Sequence, residues 1–233
     1  MIGAVLTPIP AHASAWRPPE EGQRISTFVG GVSDTTQFFE SEIYFEVPVS
    51  ERLSAVVTPR IESGAVLPTD GSSELVQTTR GELSTAAKFN LHQGPNIALS
   101  VQSGLVWNSS SDGSCGDTAG EIRALAGVSK GAVFADAQLA YRARSGDCPN
   151  GKADFTAGWR PLERWMGLGQ VFFDAAPSRS PVVKLQMSLV RFNQEGAGLQ
   201  VGFRVRADHG GEGERAIVVS WWRAPHKSVT AYE

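Results

Sequence analysis

Apolar and polar residues alternate along this chain in one segment after another, and a period of two fits strands and not helices. From Gly198 to Ala207, Leu199, Val201, Phe203 and Val205 share one face, while Gln200, Gly202, Arg204 and Arg206 share the other. Val183, Leu185, Met187 and Leu189 split in the same way from Lys184, Gln186 and Ser188. So do Ala135, Ala137, Leu139 and Tyr141 from Asp136, Gln138 and Arg142. No segment carries a helical period. The expected strands cover about 23–33, 40–48, 52–63, 80–91, 95–107, 119–129, 133–144, 151–160, 164–174, 182–192, 198–207 and 213–223.

The connections constrain the fold further. After the even-numbered strands they are short, as at Val49–Glu51, His92–Gly94, Lys130–Ala132 and Pro161–Glu163. After most odd-numbered strands they are longer and rich in Gly, Ser, Asp, Asn and Pro, as at Gly64–Thr79, Asn108–Thr118, Ser145–Asn150 and Ala175–Pro181. An even strand count with short turns at one end and long loops at the other is the organisation of a transmembrane β-barrel. The expected fold is all-β, an antiparallel up-and-down barrel of about twelve strands in a cell outer membrane, with both chain ends on the periplasmic side. Composition agrees: 233 residues with a net charge of -3 and no basic block give no electrostatic reason to bind nucleic acid. Nor is there an apolar run long enough for a membrane-spanning helix.

The aromatic residues test this reading. Trp159 and Trp165 flank one short turn and Trp221 and Trp222 reach the same end, while Trp107 and Tyr141 lie toward the long loops. These six form two expected interfacial girdles. The face opposite the apolar one carries Arg24, Glu42, Glu46, Arg60, Glu62, Glu82, Lys88, Arg123, Asp136, Arg142, Asp154, Lys184, Arg204 and Arg206. These are the expected lumen-lining residues. A soluble sandwich could turn such charges to water, but its buried faces would then need large apolar side chains, whereas several here hold Ala, Gly and Thr. Arg placed on the apolar face, at Val201 or Leu185, is expected to be costly. At Gln200 or Gln186, on the lumen face, it should cost much less.

Residues 1–15 read M-I-G-A-V-L-T-P-I-P-A-H-A-S-A, an uncharged apolar stretch ending in two overlapping small-x-small sites, Ala11-His12-Ala13 and Ala13-Ser14-Ala15. This predicts part of a secretory signal peptide and a mature chain starting near Ser14 or Trp16. Residues 16–223 form the barrel and 224–233 a C-terminal tail. Export makes a disulfide tenable for Cys115 and Cys148, which fall in the loops after strands five and seven, on one rim.

At this point the chain resembles a group of largely uncharacterised, porin- or transporter-like alphaproteobacterial outer-membrane β-barrel proteins. The likeness is carried by Ala15-Trp16-Arg17-Pro18-Pro19-Glu20-Glu21-Gly22-Gln23 and by Pro95 through Gly104. Phe134 through Arg142 and Glu214 through Arg223 carry the rest. The motifs are strand motifs, so the resemblance implies fold and compartment, with outer-membrane lipid and the barrel-insertion machinery as partners. Such barrels end on an aromatic after the last strand. Here the chain runs on past Trp222, which is expected to serve instead.

The sequence shows little chemistry. Of the histidines His12, His92, His209 and His226, only His209 stands in a long-loop position, beside Asp208. That pair could activate water on the rim, and it is also what a polar hairpin loop looks like. No metal-ligand spacing and no cofactor motif is present, and the expectation is a protein without cofactor and not an enzyme. Gly167-Leu168-Gly169 lacks the rest of a dinucleotide fingerprint and is expected to relieve crowding where strands bend. What remains is the interior: mixed charges that either coat a narrow aqueous path or lock it with ion pairs. The expected function is a passive channel or transporter for small solutes. A closed structural or adhesive barrel acting through its outer loops is the alternative, and a rim hydrolase a third.

Overall fold

The computed structural model describes residues 15–33, 36–66, 76–109, 117–144, 149–176, 179–194, 196–207 and 213–223. They contain no helix. Twelve strands run in order: β1 (Gln23–Val32), β2 (Thr36–Pro48), β3 (Leu53–Val66), β4 (Val76–Gln93), β5 (Ile97–Asn108), β6 (Thr118–Lys130), β7 (Val133–Arg144), β8 (Asn150–Leu162), β9 (Trp165–Ala176), β10 (Arg179–Phe192), β11 (Gly198–Arg206) and β12 (Arg215–Arg223). Each pairs antiparallel with its sequence neighbours, and β1 pairs with β12 from Arg24↔Arg223 to Val32↔Arg215, which closes the barrel. Closure removes the free edge that an open sheet would present to lipid.

The expected strands fall within a few residues of the observed ones. The main difference lies at the long-loop end, where β2, β4 and β10 each begin a few residues earlier than the alternation suggests, so the connections at residues 33–35 and 177–178 are short. The β3–β4 hairpin is the tallest part. Its ladder continues to Val66↔Val76, and Gln77, Thr78, Thr79 and Arg80 are all exposed near its top. Polar residues on both faces there mark a hairpin standing above the apolar belt.

The ladder registers assign every side chain to the inside or the outside, because residues paired across two strands share a face. The outside is apolar on every strand: Phe28, Phe45, Ile61, Phe89, Leu105, Ile122, Leu139, Phe155, Val171, Leu189, Val201 and Ile217 are exposed, one from each strand in order. Such a continuous greasy exterior on a closed barrel is stable only against lipid. It places the barrel in an outer membrane. Trp107 and Tyr141 face outward at the long-loop end, and Trp159, Trp165 and Trp221 face outward at the short-turn end. Arg191 stacks over the Trp165 ring at 5.5 Å to the centroid, a cation held at headgroup level by an interfacial aromatic.

Three expectations fail here. Trp222 is not in the girdle: it is 3% exposed against 50% for Trp221, because adjacent residues of a strand face opposite ways. It therefore also cannot act as an outward terminal aromatic. Arg24 does not line the lumen. It pairs with Arg223 on the outer face, donates from Nε to Ser26 Oγ at 3.3 Å and lies exposed at the short-turn end, where a guanidinium can reach the headgroup layer. Finally, Gly167 and Gly169 relieve no crowding, since a Cβ on either would meet nothing within 4 Å.

Candidate functional site

The other thirteen expected lumen residues all lie on the inner face, but they fall into two tiers with different physics. The upper tier, toward the long loops, is charged and partly wet. Arg204 grips Glu40 through two nitrogens, Nη1 to Oε2 at 3.1 Å and Nη2 to Oε1 at 2.7 Å, and also donates to Glu214 Oε1 at 3.0 Å. Lys184 Nζ reaches Glu214 Oε2 at 2.9 Å, and Arg60 bridges Glu40 and Glu62. On the wall formed by β4, β6 and β7, Arg142 holds Glu82 in a second two-pronged pair at 2.7 and 2.9 Å and also contacts Glu121. Arg123 joins it through Glu121 Oε1 at 3.0 Å and Gln138 Oε1 at 2.8 Å. Both forked pairs connect strands three apart, β11 to β2 and β7 to β4, so they reach across the curve of the wall. Arg is suited to this because its planar fork matches a carboxylate. Lys152, Asp154 and Asp174 continue the charged surface on β8 and β9, and Arg206 extends it at the rim of β11.

Sequence alternation already carried most of this tier. Glu40, Glu121 and Glu214, absent from the expected set, lie within the expected strands and have the same parity as Glu42, Arg123 and Ala216, so the alternation alone already pointed to them. The pairing across three strands could not, since it depends on the closed ring.

The lower tier, toward the short turns, is dry. Every strand contributes a buried inward residue: Ile25, Tyr44, Val56, Lys88, Ser100, Leu125, Phe134, Thr156, Met166, Val190, Gln200 and Trp222 from β1 to β12 in order. On one side the walls fill the space themselves. Ile25, Tyr44, Val56, Phe134, Met166, Leu168, Val190, Phe192 and Trp222 form one cluster, with Phe192 edge-on to Trp222 at 6.2 Å. Two glycines make room for aromatic rings, since a Cβ at Gly158 would lie 2.0 Å from the Phe134 ring and one at Gly198 2.9 Å from the Phe192 ring. Arg160 lies over Phe192 at 4.8 Å on the short-turn side.

Beside this cluster, from β12 round to β8, runs an arc of paired amides and hydroxyls. Trp222 Nε1 donates to Gln200 Oε1 at 3.0 Å, Gln200 to Ser188 at 2.9 Å, Gln186 to Gln170 at 2.8 Å and Gln170 to Thr156 at 3.3 Å. Gln200 and Gln186 are thus sealed among partners and not exposed to water in the lumen, so Arg at these positions is expected to be costly and not tolerated. A charged pair is buried here too. Lys88 and Glu46, both 0% exposed, meet at 2.5 Å. Glu46 also accepts from Tyr44 Oη at 2.5 Å and Gln23 Nε2 at 2.9 Å.

On the other side the filling comes from the chain that precedes β1. From Gly22, whose φ of 81° suits glycine, the segment leads across the short-turn mouth. It reaches the inner wall of β4–β7, where Ala15, Ala98 and Leu125 form a cluster with Trp16 packed on it. Nothing in the strand pattern places residues 15–23 inside the barrel. The one hint is Trp16-Arg17-Pro18-Pro19, an aromatic in a stretch too irregular for a strand.

Cys115, Cys148, Asp208 and His209, together with residues 1–14 and the tail 224–233, lie outside the described residues. His92, the one histidine described, is exposed at the short-turn end, beyond a bulge in the β4–β5 ladder. Among the described residues no group of acidic, His or Cys side chains could hold a metal.

Searches for related proteins find no matching family model and no matching curated protein. Solved structures do match. An outer-membrane channel from Pseudomonas putida F1 aligns with a TM-score of 0.68 at 10% identity, covering 93% of this chain and 99% of that one. The KdgM porin in complex with disordered oligogalacturonate aligns at 0.58 and 6% identity, covering 84% and 98%. The translocator domain of the autotransporter NalP from Neisseria meningitidis aligns at 0.53 and 10% identity, covering 86% and 88%. At these identities the likeness establishes the barrel fold. Channels and translocators both appear among the matches.

Proposed function

We propose that this protein is a passive outer-membrane channel or transporter for small hydrophilic or weakly amphipathic solutes. The observation that carries the reading is the inner wall, which is charged and partly wet through its upper tier and, beside the apolar cluster of the lower tier, still carries buried amides, hydroxyls and an ion pair. A barrel that only had to be filled would gain more from an apolar core than from buried amides and a buried ion pair, each of which must be satisfied to avoid a penalty. The porin and channel among the fold neighbours support the same reading, as does the resemblance to porin-like alphaproteobacterial barrels. The dry lower tier favours the second reading, a closed barrel acting through its outer loops.

Purified protein reconstituted in planar bilayers decides between them. Discrete current steps that scale with salt concentration are expected. A barrel that shows none, under any voltage and with the lower tier opened by mutation, is structural. The rim-hydrolase alternative predicts loss of a hydrolytic activity in His209→Ala, and an active His209→Ala protein ends it.

Two features of the exported chain complete the proposal. Cleavage after Ala13 leaves Ala15 in place. Its backbone is held inside the barrel, so the mature protein should begin at Ser14, as N-terminal sequencing would report. Cys115 and Cys148 lie in the connections after β5 and β7, at one end of the barrel, where a disulfide would tether adjacent loops. Non-reduced peptide mapping should find them linked, and two alkylatable thiols would overturn the pairing.

A further inference from the structure

The inner wall of β4–β7 is built to hold a peptide. Five hydrogen bonds join this wall to main-chain atoms of three consecutive residues. The Ala15 N–H donates to Asp136 Oδ2 at 3.1 Å, and its C=O accepts from Ser100 Oγ at 2.6 Å and Gln93 Nε2 at 2.9 Å. The Trp16 C=O accepts from Lys88 Nζ at 2.9 Å, and the Arg17 N–H donates to Gln93 Oε1 at 3.1 Å. The Trp16 ring lies where Gly127 has no side chain: a Cβ there would stand 2.0 Å from the ring. Ala15 is 0% exposed. The contacts use peptide groups and one aromatic slot, which is how an extended peptide is recognised.

We propose that residues 15–22 are a tethered plug, bound at this site, and that their withdrawal opens the lumen; this rests on the channel reading. The tether is Gly22, which joins the segment to β1, whereas β4–β7 stand on the far side of the ring. The segment therefore crosses the lumen to reach its site. The wall it covers is polar. Without the segment, Asp136, Lys88, Ser100 and Gln93 face a space that must take up water, because such groups are too costly to leave dry and unpaired. The opposite side, filled by its own apolar cluster, stays shut. Withdrawal thus creates a one-sided, water-lined passage from the charged upper tier to the short-turn end.

The test compares the mature protein with a variant lacking residues 15–22 and with Gly127→Leu, which fills the Trp16 slot and keeps the segment. Two readouts are used. One is conductance in planar bilayers. The other is modification of Ala98→Cys, introduced into each background, by a small hydrophilic thiol reagent, read by peptide mapping at position 98. Ala98 is 0% exposed beside Ala15, so modification should be slow with the segment seated. Both opened variants should label severalfold faster and conduct severalfold more. Gly127→Leu keeps the chain intact and stands alone if the deletion does not assemble. Unchanged labelling together with unchanged current overturns the plug while leaving the channel reading in place. Faster labelling with no current from any variant overturns the opening role and the channel reading together.

Discussion

The two tiers of the lumen are built on the same twelve strands with the same alternation, yet one is wet and the other dry. In the upper tier, ion pairs such as Arg60–Glu62 are partly exposed, with Glu62 at 42%, and water shares the work of solvating them. In the lower tier Lys88 and Glu46 are both fully buried, and among the groups that solvate them in place of water are each other, Tyr44, Gln23 and the Trp16 carbonyl. Inward parity therefore says which side chains meet in the barrel and not how they are solvated. Solvation is set by what else occupies the same height, here the aromatic cluster and the N-terminal segment.

The contrast predicts that the largest effect comes from the buried pair. Lys88→Met leaves the Glu46 carboxylate without its cation and should destabilise the folded barrel by about 3–5 kcal/mol, read from thermal unfolding in detergent. A loss below about 1 kcal/mol would mean that water reaches this tier. Next comes the lipid face. Val201→Arg, near the middle of β11 on the outside, should cost about 2–4 kcal/mol in a bilayer. Gln200→Arg should be comparably damaging, since it breaks the bonds to Trp222 and Ser188 in a sealed site. A benign Gln200→Arg would show the tier to be open.

Gly158→Val should cost about 1–3 kcal/mol by driving Phe134 from its place, again measured by unfolding. Gly120→Val, at an outward position with nothing within 4 Å of an added Cβ, gives the neutral reference. The smallest effect belongs to the upper tier, where Glu62→Gln should change stability by less than about 1 kcal/mol, diminishing further as salt is raised. A larger loss would make that tier as dry as the lower one and erase the contrast.

The alternation along β7, β10 and β11 was sufficient to assign sides, because each strand meets lipid on one face and nothing there interrupts the period of two. Errors arose where a residue's role depends on something the period does not carry. Trp221 and Trp222 look equivalent as a doublet, yet parity admits only one of them to the lipid face. Arg24 resembles a lumen cation by type, but at the last turn before the headgroup layer a guanidinium is equally at home outside. The lower tier was illegible for a deeper reason: Gln200 and Gln186 read as wet because they are polar, and what seals them is a set of partners, Trp222, Ser188 and Gln170, on neighbouring strands, of which Trp222 arrives only with the last strand. The contribution of Ala15 and Trp16 has no periodic signature at all.

Ring closure also dictates an order of events during biogenesis. The β1–β12 ladder joins the first strand to the last, with the Thr27 and Ser220 hydroxyls meeting at 3.0 Å, so the seam can form only once the chain is complete. Contacts this distant in sequence are slow to find. Until then both seam strands expose unpaired amides, and Trp222, which completes the dry tier, has not arrived. Sealing the wall and expelling water from the tier are thus one late step. An arrest of assembly before β12 would leave a chain with two sticky edges and a wet interior, the form most prone to aggregate in transit.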